Sequence, residues 1–408
     1  MAQRAYIGVG GVARQVKKIY TGVGNVARQV KKAYVGVNGV ARLFFAAERK
    51  IVKLSNNLSL SGYAAYPKSA STQDNVIIDS IASADNKIYN GRGVDSFNSN
   101  LVRRSLSQKN GSSERAINLG SNVLFFNTII TGMSQTRDLT VYDRTLTKKN
   151  IDHPNLWVPS CANFNNFVFC ATGFTPPPDG NLTEIVFVYD TNLTKRQLGN
   201  LGERKGASIS ATVDNDYVLF AGGQVSTIGT LNPTWTTSVQ HYNKNLVRGN
   251  AQNLSRATSC GFYAGFFFGN YPLDRQSICT KTHALIPLSG NDGACDVYDK
   301  HLVKSTHKMP YNGRAGTAIS KLDENIVLVG GGFEQPQSKY LDVSDVFAYD
   351  DTLVVKRVPS LSYSRSYMSS NANIGNYTLF AGGSRMQYVN DPNLQMEFSN
   401  KVETYTIE

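Results

Sequence analysis

Between residues 74 and 408, apolar and polar positions alternate in short runs broken by Gly, Asn, Asp and Pro. Alternation of that period marks strands rather than helices. One signature recurs along the runs: an aromatic residue, then a leucine four positions on, with turn residues between them. It stands at Phe97 and Leu101, Tyr142 and Leu146, Tyr189 and Leu193, Tyr242 and Leu246, Tyr298 and Leu302, and Tyr349 and Leu353. A seventh aromatic, Tyr405, has no leucine before Glu408, whereas Leu54 and Leu58 show the same spacing ahead of the first copy. A repeat that opens on its second half and closes on its first describes a circular array. The expected fold is therefore all-β: seven small sheets over 51–408, closed into a ring by an N-terminal strand at 51–62.

Each sheet is expected to hold four strands. Over 312–358 these are an apolar-leaning run at 315–322, a second at 325–329 ending in Gly330, Gly331 and Gly332, and strands at 345–350 and 353–358. Paired glycines recur at Gly222–Gly223 and Gly382–Gly383, where they permit positive φ or a close backbone pass. The third and fourth strands are joined by turns that open on Asp or Asn, as at Asp143, Asp190, Asn243, Asp299 and Asp350, and such side chains bond the backbone two residues on. The aromatic and the leucine are expected to pack between neighbouring sheets. Arg115, Arg204, Arg256, Arg314 and Arg365 precede the first strands. They either ring the channel mouth as an anion site or hold the neighbouring blade by bonding its backbone carbonyls, and their repetition favours the second role.

The formal charge of +12 is concentrated at the N-terminus, where residues 1–50 carry ten Lys and Arg against Glu48 alone. This divides the chain into a basic segment, 1–50, and a ring, 51–408. The basic segment repeats with a period of fourteen: AYIGVGGVARQVKK, IYTGVGNVARQVKK and AYVGVNGVARLFF. A short helix competes with a hairpin at each copy. Glycine and β-branched residues disfavour the helix, and Asn38–Gly39 is a hairpin turn signal, so hairpins are expected. Tyr6, Arg14, Tyr20, Arg28, Tyr34 and Arg42 stand in register and are the candidate assembly contacts, the same contact offered three times. Tyrosine among basic residues also suits nucleic acid, but the repeated Val-Ala-Arg context favours a protein partner, and nucleic acid is not expected.

No run of 18 apolar residues occurs, so membrane insertion is not expected. Five cysteines are too few and odd in number for a disulfide scaffold, and Cys161 and Cys170 read as buried thiols on adjacent strands. The histidines show no metal-ligand spacing, and no glycine-rich phosphate loop appears, so no metal or cofactor is expected. The acids Asp95, Asp190, Asp299 and Asp350 are assigned to repeated turns, which argues against catalysis. Insertions at 224–237, 271–293, 333–342 and 384–399 are expected between second and third strands, on one rim. Trp235, Tyr271, Arg275, Phe333, Tyr340 and Tyr388 are the candidate binding residues there, since loops on a rigid scaffold commonly bind.

The glycine doublets, the later aromatic and the four-stranded period resemble kelch repeats. The resemblance implies a seven-bladed kelch-like β-propeller, although the tryptophan expected late in each kelch blade is absent. The fourteen-residue triplet resembles segments in tail and baseplate-region proteins of bacteriophages and prophages of Gram-positive bacteria. That resemblance implies a virion location and attachment to other tail or baseplate proteins through 1–50. Together they lead to the expectation of a non-enzymatic virion structural protein whose rim binds a host-surface glycan or protein. The alternatives are a decoration protein without receptor recognition and a glycan-cleaving tail enzyme.

Overall fold

A computed structural model describes residues 50–408, apart from 65–66, 81–92, 108–111, 132–133, 157–158, 176–180, 226–233, 259–275, 290–291, 312–313, 335–340 and 387–395, together with the backbone of six strands within 5–46. The chain divides into two compact units, 1–52 with 407–408 and 53–406.

In the first unit each fourteen-residue copy is an antiparallel strand pair. Ala5–Val9 pairs with Val12–Val16, Ile19–Val23 with Val26–Val30, and Lys32–Val37 with Val40–Ala46. The hairpin expectation holds over these strands, and the connections at 10–11, 24–25 and 38–39 lie outside the described residues. The register repeats: Ile7 opposes Arg14, Thr21 opposes Arg28 and Val35 opposes Arg42. Lys50 and Glu408 exchange backbone hydrogen bonds in the same unit.

The second unit is a seven-bladed β-propeller. Its antiparallel sheets span 68–105, 112–151, 160–200, 209–250, 278–308, 318–358 and 373–407. The sixth shows the plan, with Ala318–Lys321, Ile326–Gly330, Val346–Asp350 and Val355–Val358 side by side. Its second strand is apolar at successive positions, with Val327, Leu328 and Val329 all buried, because a blade is covered on both faces by its neighbours. The seventh sheet takes its outer strand from the start of the ring: Leu58–Ala64 pairs with Met396–Ile407 (Leu58 opposite Val402), and the Leu54 amide donates to the Thr404 carbonyl at 2.9 Å. Closure therefore occurs where the sequence pattern places it.

The repeated aromatic is the wedge between blades. Phe97, Tyr142, Tyr189, Tyr298, Tyr349 and Tyr405 are all fully buried. Tyr142 packs with Ala70, Ile77 and Val94 of the preceding blade, and Tyr189 with Leu139 and Val141. Four of the phenols reach further back. Tyr142, Tyr189, Tyr298 and Tyr405 donate to the carbonyls of Ser107, Asp152, Gln252 and Pro359, just past the outer strand of the blade before. The leucine partner is only half-buried, so it contributes less than the full burial expected of it. At the turn between them, Asp143, Asp190, Asn243, Asp299, Asp350 and also Asn98 each accept backbone amides two and four residues on.

A second seam runs through the glycine doublets. The amides of Gly173, Gly223, Gly332 and Gly383 donate to the carbonyls of Lys205, Thr258, Arg365 and Ala64 in the following blade, at 2.7–3.1 Å. Gly332 and Gly383 hold φ of 94° and 95°, and a Cβ would stand 2.7 Å from the Ala315 carbonyl or 2.5 Å from that of Ser366. The first doublet position is less strict, for Thr172 occupies it in the third blade. Gly332→Ala is expected to lower stability by more than about 2 kcal/mol. Leu353→Ala, which empties a half-covered site, falls near the lower end of the usual range, about 2 kcal/mol. Urea unfolding of both variants measures the order: Leu353→Ala the costlier of the two would contradict the seam.

Candidate functional site: the central channel

The first strands of all seven blades line the central channel, a cavity of about 390 Å³. Its wall combines hydroxyls and amides with apolar residues such as Ile117, Ile209, Ile319 and Met368. Ser69, Ser160, Ser208, Ser277 and Ser370 come from five blades, with Asn118, Asn163, Asn215 and Asn373 between them. Lys68, Arg115 and Lys321 supply positive charge, and no carboxylate lines the channel among the described residues.

The serines have a structural reason. First strands of neighbouring blades converge at the axis without forming a continuous sheet, so their facing backbone groups need other partners. Ser160 donates to the Ser208 carbonyl at 2.6 Å, Ser210 back to that of Cys161 at 2.7 Å, and Ser277 to that of Ser210 at 2.7 Å. Ser69 donates to the Ser370 carbonyl, and the Ser370 hydroxyl accepts the Ile319 amide. A hydroxyl donates once and accepts twice, so each stitch leaves lone pairs on the channel wall.

The five arginines separate. Only Arg115 lines the channel. Arg365 is fully buried, donating to the carbonyls of Gly382, Lys401 and Phe380 and pairing with Glu403 at 2.7 Å. Arg314 bonds the Gly331 carbonyl and pairs with Glu334 at 2.8 Å. The backbone-tying role thus holds for these two, but their side chains tie strands of their own blade rather than the neighbour; it is the carbonyl of Arg365 that joins the blade before. In the fourth blade the equivalent residue is Lys205, not Arg204. Lys205 is fully buried and donates to the carbonyls of Phe220 and Ser238, and burial pushes its ammonium pKa down to about 7. In the fifth blade Thr258 takes the place, and Arg256 lies two residues away in an exposed pair with Asp292.

Among the acids, Asp190, Asp299 and Asp350 do occupy the repeated turns. Asp95 does not. It is fully buried two residues before its aromatic, accepting the amide and hydroxyl of Ser61 and the hydroxyl of Ser105. Asp296 holds Ser255 in the same way, and Glu403 holds the Ser362 amide. Among the described residues no cluster of three or more His, Cys, Asp or Glu is placed to hold a metal ion, and no helix is long and apolar enough to cross a membrane.

Two of the candidate rim residues, Trp235 and Phe333, are described. Phe333 is 2% exposed and stacks on Tyr367 at 5.6 Å, so it packs the blade rather than facing outward. Trp235 is half-buried and bridged to Gln224. Tyr271, Arg275, Tyr340 and Tyr388 lie outside the described residues. Residues 278–287, assigned to an insertion in the sequence, are instead blade: Ile278–Cys279 and His283–Pro287 are the first two strands of the fifth blade. That blade has no glycine doublet after its second strand, which is why its strands were misaligned. In the N-terminal hairpins, Tyr6, Tyr20 and Tyr34 oppose Gln15, Gln29 and Leu43, one position from Arg14, Arg28 and Arg42 on the partner strand.

No family model matches the chain, and no curated protein matches it. Among solved structures it is similar to that of YjhT, with 10% identity over 86% of this chain and 99% of that one and a TM-score of 0.48. A likeness at that identity concerns the fold. The likeness lends no support to a tail or baseplate origin, and the expectation of a strictly non-enzymatic protein does not stand. The sequence argument against catalysis was also too broad: it disposes of the turn acids and leaves the channel untouched.

Burial works against the charge on Glu403, but the Arg365 guanidinium and hydrogen bonds from Ser362 and Lys53 outweigh it and hold the carboxyl below its usual range. A carboxyl depressed in the folded state contributes stability above its unfolded pKa and loses that contribution as pH falls through the folded value. Acid unfolding should therefore steepen below about pH 4. Glu403→Gln, which leaves Arg365 buried without its counter-charge, should cost about 3 kcal/mol at neutral pH and flatten that acid limb. Urea midpoints against pH measure both effects.

Proposed function

We propose that the propeller is a carbohydrate-directed module of a phage-tail-like particle, and that an oxygen-rich, anionic sugar is the ligand of its central channel. The observation that carries this reading is the lining: hydroxyls or amides from six of the seven blades, three cationic residues, and no carboxylate among the described residues. A wall of that kind matches a polyhydroxylated molecule hydrogen bond for hydrogen bond. Positive charge in a concave, low-dielectric site concentrates anions and repels cations. The volume of about 390 Å³ is in the range of small-molecule sites, about 300–1,000 Å³. The fourteen-residue triplet supports attachment through residues 1–50 to other tail or baseplate proteins, three like hairpins giving three like contacts.

The reading is tested by titrating the full chain with uronic-acid oligosaccharides, their neutral counterparts and simple carboxylates, while following the sugars by mass spectrometry. Acidic sugars should bind at least tenfold more tightly than neutral ones, and Lys321→Glu should weaken them at least tenfold with unchanged thermal stability. Chemical change of the sugar assigns turnover to the channel, and retention without change assigns binding. Equal affinity for neutral sugars, or none for any, overturns the proposal. For attachment, removal of residues 1–49 should abolish co-sedimentation with particles while leaving the titration unaltered.

A further inference from the structure

The first two strands of the third blade are registered so that Cys161 lies directly opposite Cys170. Both are free thiols, and their sulfurs are 3.3 Å apart. Cys170 is fully buried in the apolar layer beneath the third blade, beside Leu139 and Val141 of the second. Cys161 is half-buried and forms part of the channel wall. Directly opposed residues of an antiparallel pair hold their Cβ atoms about 4.5–5.5 Å apart, which meets the upper end of the disulfide range, about 3.5–4.5 Å. Bond formation needs the sulfurs to close by about 1.3 Å from their separation of 3.3 Å, within reach of side-chain rotation. The other described cysteines lack this arrangement: Cys279 accepts the Thr212 amide and Cys295 donates to the His307 carbonyl.

We propose that Cys161 and Cys170 form an oxidisable dithiol on the channel wall, which a hydroperoxide entering the channel converts to a cross-strand disulfide. The Cys161 thiolate attacks one peroxide oxygen, the O–O bond breaks, and the departing hydroxide takes a proton to become water, leaving Cys161 as a sulfenic acid. The Cys170 sulfur then attacks the Cys161 sulfur. The S–S bond forms, the S–O bond breaks, and the Cys170 proton leaves with that oxygen as a second water. Two thiols lose two electrons, and one hydrogen peroxide is reduced to two waters. Burial pushes the Cys170 thiol well above its usual range, so the first attack falls to Cys161, which the channel opens to solvent. The new bond locks the first strand to the second where the first strand also carries the serine stitches to the fourth blade, Ser160 to Ser208 and Ser210 to Cys161.

Reduced full-length protein is treated with hydrogen peroxide, unfolded, alkylated with N-ethylmaleimide and digested. The peptide containing residues 161–170 should be lighter by two hydrogens and carry no maleimide, and dithiothreitol should reverse both changes, while Cys279 and Cys295 stay alkylated. In Cys170→Ser the same treatment should leave Cys161 as a sulfenic acid that dimedone labels. In Cys161→Ser, Cys170 should remain fully alkylated. Full alkylation of both residues in the treated wild-type protein overturns the proposal, as does oxidation of Cys170 without Cys161. The wild-type measurement decides the matter should either variant fail to fold.

Discussion

The ring depends on directional bonds that cross from blade to blade, at every joint but that of the fifth with the sixth through a doublet glycine or a phenol. A small sheet with two apolar faces must stack, but stacking alone fixes neither angle nor order. Angle and order are set by polar atoms at both ends of the buried aromatic layer. On one side the second doublet glycine donates to a carbonyl that introduces the next blade, as Gly332 does to Arg365. On the other, a buried phenol reaches back to the blade before, as Tyr405 does to Pro359. Gly383 donates to Ala64 in the same way, so the joint that closes the circle is chemically a repeat of the others. Its outer strand comes from the opposite end of the chain, which makes Lys53, Glu403 and Arg365 a polar cluster held together only when both ends are in place.

The channel wall follows from that geometry. Blades that diverge outward bring their first strands together at the axis at an angle that excludes continuous ladder bonding. Serine is the smallest residue able to bridge the gap, and it leaves lone pairs on the surface it stitches. A hydroxylic lining is therefore first a consequence of closing the ring, and only then a surface able to meet a ligand. What the stitches do not explain is the charge. Lys68, Arg115 and Lys321 stand on that wall, and no carboxylate lines it among the described residues.

Much of this was legible from spacing. Strand alternation, the aromatic–leucine interval and the glycine doublets lead to seven sheets and to the position of closure. Local signals misled where a blade departs from the repeat. The fifth has a first strand of two residues, Ile278–Cys279, and no doublet after His283–Pro287, so its strands looked like an insertion. Lys205 was missed because Arg204 stands next to it and matches the residue type seen in other blades; only the distance of seventeen residues to the doublet glycine, shared by Arg314 and Arg365, identifies the buried member. Phe333 shows the limit of composition as a guide to sites, since an aromatic in a loop packs as readily as it binds. The channel itself has no sequence signature, because it is assembled from single hydroxyls contributed by residues as distant as Ser69 and Ser370.

The recurrent leucine shows how far packing overrides local preference. At Leu101, Leu146, Leu193, Leu246, Leu302 and Leu353 φ lies between 59° and 65°, a left-handed conformation that costs an L-residue about 1–2 kcal/mol. Glycine would relieve the strain but give up the apolar area of a half-buried leucine, about 1 kcal/mol or more. Those two quantities nearly cancel, so burial alone does not select leucine. The remainder comes from the Asp or Asn three residues earlier, whose side-chain oxygen accepts two amides on either side of the leucine and holds the turn in that conformation whichever residue occupies it. With the backbone so determined, a side chain that reaches the neighbouring blade gains its contacts at no added conformational cost, and glycine at the same place would only loosen the unfolded chain. The strain is thus a by-product of a turn that must keep the preceding aromatic aligned with its neighbour, and the leucine is the residue that turns an imposed conformation into an inter-blade contact.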